Sequence, residues 1–123
     1  MNKKKEHDPR QTILEFVDAI NRKDVSALDD MMSVDHVFID YAGGRTQGRE
    51  RMLEGWKEYF RLYPDYKIHV HKVFISGSDA ALIGSVMGSH LTPEEESSTT
   101  FVWTARIADG LVAEWRIYKE PEK

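Results

Sequence analysis

The sequence contains no cysteine, so it offers no disulfide framework, no thiolate nucleophile and no cysteine-ligated zinc site. That absence fits a cytoplasmic setting. No stretch approaches the ~20 consecutive apolar residues of a membrane span, and Met1 to Arg10 lacks the apolar core of a signal peptide, so no membrane partner is expected. Charge of one sign is also scarce. The formal net charge is -4, and Lys and Arg are scattered instead of gathered in a stripe, which argues against nucleic acid as a partner. There is no internal repeat, linker or low-complexity segment. Ser97-Ser98-Thr99-Thr100 has no nucleophile elbow around it, and Gly43-Gly44 lacks the helix-opening spacing of a phosphate-binding loop.

What is present is enough apolar material for one core. The 123 residues suit a single domain, 41% are hydrophobic, and three Trp, five Tyr and five Phe supply bulky side chains. The short cluster Lys3-Lys4-Lys5 reads as part of a solvated, charged tail.

The first half has helical periodicity. Asp8 and Pro9 form a helix start, with Gln11 at the capping-box position, and Ile13, Phe16, Val17 and Ile20 then make one apolar stripe to about Asn21. Asp24 caps a second, short helix carrying Val25, Leu28, Met31 and Met32. The run from Asp35 to Tyr41 reads as a strand ended by Gly43-Gly44, with His36, Phe38 and Asp40 on one face. A third helix follows Gly48, with an aromatic stripe of Trp56, Tyr59, Phe60 and Tyr63, and stops at Pro64.

The second half reads as four strands: Tyr66 to Ile75, Ala80 to Leu91, Ser98 to Ala108 and Leu111 to Lys119, with an acidic loop from Pro93 to Glu96. Asp109-Gly110 between apolar runs is the clearest hairpin signal. Helices first and consecutive strands afterwards give an α+β layout.

Three segments carry a resemblance to a known family: Phe16-Val17-Asp18-Ala19-Ile20-Asn21-Arg22-Lys23-Asp24; Val37-Phe38-Ile39-Asp40 followed by glycines and Gly48-Arg49-Glu50; and Asp109-Gly110-Leu111-Val112-Ala113-Glu114-Trp115-Arg116. In this order and spacing the chain resembles the SnoaL-like branch of the nuclear transport factor 2-like superfamily, from about Pro9 to Tyr118. The resemblance implies a cone-shaped α+β fold, with N-terminal helices packed on the concave face of a strongly curved, mainly antiparallel sheet. It also implies a pocket between sheet and helices and a homodimer formed through the sheet. The expected organisation is a charged N-terminal tail over 1–8, one SnoaL-like domain over 9–119 and a C-terminal tail over 120–123.

The superfamily includes ketosteroid isomerases, epoxide hydrolases, polyketide cyclases, dehydratases and members without catalysis, so the site has to be argued from residues. Asp40 matches the strand position of the general-base Asp in ketosteroid isomerase-like members. A carboxylate in apolar surroundings becomes a better match for moving protons near neutral pH. Its other reading is a turn residue that caps Gly43-Gly44 through its side chain. The resemblance also has gaps. Phe16 stands where the isomerases have an oxyanion-stabilising Tyr, and Trp103 stands where they have a protonated Asp, although its indole N–H is a donor. Ile117 stands where epoxide hydrolases carry a catalytic Asp.

His90 falls on the face of Leu82, Gly84, Val86 and Gly88 by the period of two and is the candidate partner of Asp40; its other reading is an exposed strand-end residue. Gly84 and Gly88 read as bends in the sheet. Phe16, Ile20, Phe38, Trp56, Phe60, Tyr63, Val86, Trp103 and Ile117 are the candidate pocket residues for a small apolar molecule, with Tyr59 on the same helical stripe; the plain alternative is a filled core. His69 and His71 on one strand face, with His36 and Asp40, invite a metal reading, but no third ligand is fixed by spacing, and a hydrated or dimer-facing surface is preferred. Arg106, Glu114 and Arg116 should face away from Trp103, Trp115 and Ile117 and pair across strands.

Two functions follow. The first is a cofactor-independent isomerase, cyclase or dehydratase in which Asp40, with His90, moves a proton on a small apolar substrate. The second is a non-catalytic dimeric module that binds a ligand or protein in the same cavity.

Overall fold

The computed structural model describes residues 8–120; residues 1–7 and 121–123, most of the expected tails over 1–8 and 120–123, lie outside the described residues. Helix α1 (Pro9–Arg22) opens on Asp8, whose side chain accepts from the Arg10 N–H, with Pro9 in the first turn where its missing N–H costs nothing. The side chain of Gln11 bonds Glu15 instead of closing a capping box. Ile13, Phe16 and Ile20 are fully buried, so the apolar stripe is the face that seats α1 on the sheet. Lys23 ends the helix in the left-handed conformation, and Asp24 caps α2 (Val25–Met31) by accepting from the Ala27 N–H.

Strand β1 (Met32–Ile39) leaves α2 without a loop, and the short β2 (Arg45–Gln47) returns beside it before α3 (Arg49–Leu62). The remaining elements are β3 (Lys67–Ser76), β4 (Asp79–Met87), the one-and-a-half-turn α4 (Pro93–Ser98), β5 (Phe101–Ala108) and β6 (Leu111–Lys119). The six strands form one sheet in the order β2-β1-β6-β5-β4-β3, antiparallel except for the parallel β1–β6 pair. This is the expected α+β cone architecture. At the β5–β6 turn both Asp109 and Gly110 have positive φ, the conformation that a tight hairpin needs.

Alternation sorts the strands into two faces. Trp103 pairs with Ile117, and Phe38 with Trp115, on the face toward the helices, where Trp103, Trp115 and Leu82 are almost fully buried. The other face carries the rows Phe74–Ala81–Thr104–Arg116 and Lys72–Ile83–Val102–Tyr118. Arg106 and Glu114 are in register on this outer face, but the expected ion pairs among Arg106, Glu114 and Arg116 are not formed; the Arg116 guanidinium lies over the Tyr118 ring at 4.7 Å instead. An exposed pair gains little from contact in water, and the flat guanidinium stacks well on an aromatic face.

Strand β2 has no counterpart in the sequence reading, β5 starts at Phe101 and not Ser98, and three further differences each have a local reason. The segment from Pro93 to Glu96 is helical, because Thr92 and Glu95 form a reciprocal capping box around Pro93. Strand β4 ends at Met87, not Leu91, because Gly88 turns the chain with φ 70°, so His90 sits in a loop. Strand β1 ends at Ile39, which puts Asp40 one residue past the strand. The bend attributed to Gly84 is present: the β3–β4 register shifts between Val70 and Lys72, and the Gly84 backbone passes directly under the His69 carbonyl.

Candidate active site

One cavity of about 430 Å³ opens between α3, the inner face of β4–β6 and the two loops that follow β1 and β4. Its size is that of a small-molecule site, and most of its wall is apolar. Of the residues read from the sequence, Phe38, Trp56, Val86, Trp103 and Ile117 line it, together with Asp40 and His90. The other four lie elsewhere. Phe16 and Ile20 sit beneath the cavity in the core, where Phe16 meets Trp115 edge-on at 5.2 Å, because α1 packs deeper on the sheet than α3 does. Phe60 stacks behind Trp56 at 5.3 Å, and Tyr63 packs on Tyr59 at 4.8 Å, each one helical step away from the residue that reaches the cavity.

Asp40 stands both in the turn and at the cavity, the two places that the sequence set against each other. Its Oδ1 accepts the N–H groups of Ala42 and Gly44 at 2.9 and 2.8 Å, while its backbone N–H donates to the Gly44 carbonyl oxygen. The side chain therefore closes the turn between β1 and β2. Yet the residue is half-buried and belongs to the cavity wall, and its Oδ2 has no hydrogen-bond partner among the described residues. One carboxylate oxygen is anchored and the other has no partner among the described residues.

His90 lies across the mouth between two tyrosines. Its Nδ1 is 2.8 Å from the Tyr59 hydroxyl and its Nε2 is 2.9 Å from the Tyr41 hydroxyl. Burial pushes the Tyr59 phenol up to about 12, and burial followed by the nearby Asp40 and Glu95 charges raises that of Tyr41, so both keep their protons at neutral pH. The loop that carries His90 is pinned from below. Glu96, buried on α4, accepts from both the backbone N–H and the hydroxyl of Ser89.

Two donors in the wall have no partner among the described residues: the indole N–H groups of Trp56 and Trp103. A buried, unpaired N–H costs stability unless a ligand or water meets it. The Trp103 donor expected from the sequence is thus uncommitted within the protein.

Sequence reasoning missed Tyr41, Tyr66, Phe101 and Leu91 as wall residues. Tyr41 was visible only as the end of a strand, and nothing in its local pattern says that the turn swings it toward residue 90. The His69–His71 pair lies exposed on a separate groove, with His69 donating to the Met87 sulfur at 3.2 Å. His36 is instead sealed in the core, where its Nδ1 donates to the Val112 carbonyl oxygen at 2.7 Å. No three His, Asp or Glu side chains among the described residues gather in a metal-binding arrangement. No helix among them is long and apolar enough to cross a membrane.

Comparisons with known proteins agree with this architecture. No curated protein matches the chain in sequence. Among solved structures, an NTF2-like protein of unknown function from Mesorhizobium loti superposes with a TM-score of 0.77 at 18% identity, covering 98% of each chain. A candidate ketosteroid isomerase from Kribbella flavida gives 0.77 at 19% identity over 94% of this chain and 79% of its own. A candidate polyketide cyclase from Sinorhizobium meliloti gives 0.75 at 23% identity, over 87% and 93%. At such identities the likeness establishes the fold and not the reaction. The sequence itself matches the SnoaL-like domain over residues 13–115, and with that span and this fold the chain belongs to the SnoaL-like family.

Proposed function

We propose that the protein is a cofactor-independent isomerase or cyclase that moves a proton on a small apolar carbonyl compound, with dehydration a variant of the same chemistry. The observation that carries this reading is Asp40, a residue in the wall of a largely apolar cavity whose Oδ2 has no hydrogen-bond partner among the described residues. A carboxylate whose other oxygen is fixed by two backbone N–H groups is aimed without further ordering, which lowers the entropic cost of the transfer.

In the reaction, Asp40 Oδ2 takes a proton from the carbon next to the ligand carbonyl. The C–H electron pair becomes the C=C bond of an enolate, and the carbonyl π pair moves onto oxygen. With a β,γ-unsaturated ketone the enolate is a dienolate, and an isomerase returns the proton from Asp40 to the γ carbon as the oxygen pair re-forms the carbonyl. A cyclase lets the enolate carbon attack a second carbonyl of the same molecule, whose π pair moves onto its oxygen, and that oxygen takes the proton back from Asp40. Both need only a base and a hydrogen-bond donor at the oxygen. The aromatic walls formed by Trp56, Trp103 and Phe101 suit a flat ligand.

The outer sheet face supports a homodimer. Phe74, Met87 and Tyr118 are exposed on it at 53%, 50% and 42%, a patch that a second copy would cover.

The test is hydrogen exchange into 2-tetralone, a flat bicyclic ketone with acidic protons beside its carbonyl. In D₂O the wild type should accelerate deuterium uptake at that carbon, and Asp40→Asn should lose ~10²–10⁴ of the acceleration while still binding the ketone. Binding without exchange in the wild type would favour the second reading, a ligand-binding module in which Asp40 serves only to close its turn. The two bonds to Oδ1 are the observation behind that alternative.

A further inference from the structure

The three groups at the cavity mouth constrain where every proton sits. The His90 backbone N–H, which can only donate, lies 3.2 Å from the Tyr59 hydroxyl oxygen, so that oxygen is its acceptor. The same hydroxyl is the partner of His90 Nδ1. If Nδ1 carried the ring proton, Tyr59 would accept twice and its own proton would have no partner among the described residues. With Nδ1 unprotonated, Tyr59 donates to it and each of these groups is paired within the protein; His90 and Tyr41 are exposed, but the Tyr59 hydroxyl is half-buried and favours the arrangement that leaves its proton bonded. The ring proton is then on Nε2, which donates to the Tyr41 oxygen. Tyr41 receives a hydrogen bond and still has its own proton to give, on a side chain that lines the cavity.

We infer that the Tyr41 hydroxyl, at the end of a Tyr59→His90→Tyr41 chain, is the hydrogen-bond donor that receives the carbonyl oxygen of the ligand. This rests on the proposed function for the identity of the ligand as a carbonyl compound, and it supplies the oxyanion donor that Phe16 cannot. Each link in the chain polarises the next, so a hydroxyl that accepts from Nε2–H is a stronger donor than an isolated phenol. The Tyr41 ring is held in place by the Lys119 ammonium at 5.2 Å on its face and by Phe101 at 6.5 Å against its edge. Tyr59 and His90 are positioning residues in this scheme, because both ring nitrogens of His90 are taken up by tyrosines.

Two measurements test it. The first needs no ligand: nitrogen-15 NMR of the imidazoles, with His90 assigned by its loss in His90→Gln, should show an unprotonated Nδ1 and a protonated Nε2. His36, whose Nδ1 faces a carbonyl, should show the opposite tautomer in the same spectrum. A protonated Nδ1 at His90 overturns the inference. The second uses 2-tetralone labelled with carbon-13 at the carbonyl. Bound to wild type, the label should move downfield as a hydrogen-bonded carbonyl does. Tyr41→Phe should remove most of that displacement and weaken ketone binding about tenfold, while tetralin, which lacks the oxygen, binds within about twofold of wild type. Tyr59→Phe should give a smaller loss of displacement, and Trp103→Phe none. A label that stays displaced in Tyr41→Phe overturns the inference and points to an indole donor. A displaced label without proton exchange sinks the proton-transfer reading and supports this one; a wild type that does not bind the ketone sinks both.

Discussion

The first side-chain atom that any residue other than glycine would place at position 44 falls 2.8 Å from Asp40 Oδ2, the carboxylate oxygen without a hydrogen-bond partner among the described residues. Gly44 thereby sets the place of the carboxylate as well as anchoring its partner oxygen. Its φ is not in the left-handed region, so alanine fits the backbone and acts on the side chain alone.

Gly44→Ala should therefore leave the fold intact and disturb the carboxylate. The expected result is a loss of about tenfold or more in exchange of 2-tetralone protons, since a misplaced base forfeits the benefit of orientation. Circular dichroism should be unchanged; wild-type exchange in this variant would separate Asp40 from the chemistry.

Gly84→Ala should act on stability instead. Its new methyl would run into the His69 carbonyl, which belongs to a paired backbone and cannot swing aside as a side chain does. Overpacking of this kind costs about 1–3 kcal/mol or more, and thermal denaturation should show a Tm lowered by several degrees. An unchanged Tm would mean that the bend between β3 and β4 is softer than its geometry shows.

Acid should destabilise the protein through His36. Burial holds its imidazole below the ordinary value near 6.5, so the unfolded chain takes up this proton first. Stability should be full above that value and fall as pH drops from about 6.5 toward the lower folded value, by at most about 1.4 kcal/mol per pH unit for one proton. His36→Asn, with an amide N–H to offer the Val112 carbonyl, should flatten this slope in denaturant titrations. A slope that persists unchanged assigns it to other groups.

Alkali should act through the phenols. Tyr59 is pushed up to about 12, and burial raises Tyr66 as well. A tyrosine of the unfolded chain ionises near 10, so the stability these two residues contribute is lost as pH rises from about 10. Ultraviolet titration of Tyr59→Phe against wild type should remove one late-ionising phenol.

Glu96→Ala should loosen the loop that presents His90. Its carboxylate satisfies both the backbone N–H and the hydroxyl of Ser89, and leaving that N–H unpaired costs about 1–3 kcal/mol. The His90 nitrogen signals should broaden or lose their distinct tautomer, and the displacement of the ketone's carbonyl label should shrink as in Tyr59→Phe. Sharp, unchanged His90 signals would show that the two tyrosines hold the ring without help.

Some of this was legible in the residues themselves. Apolar spacing in Ile13, Phe16 and Ile20 and alternation in Trp103 and Trp115 determine helix and strand because each depends on a few neighbours along the chain. Asp109-Gly110 determines its hairpin for the same reason, and Thr92-x-x-Glu95 is a capping signal that could have revealed α4. The family resemblance then ordered those elements into a cone. What the tertiary structure alone decided is which side chains meet. Tyr59 is 31 residues from His90, and Tyr41 is 49. Their meeting depends on sheet register, on the turn at Gly88 and on where α3 comes to rest, and these arise from packing over the whole chain. Local pattern therefore placed Phe16 and Ile20 on the correct face of α1, but only the depth of helix packing put them under the cavity instead of in its wall.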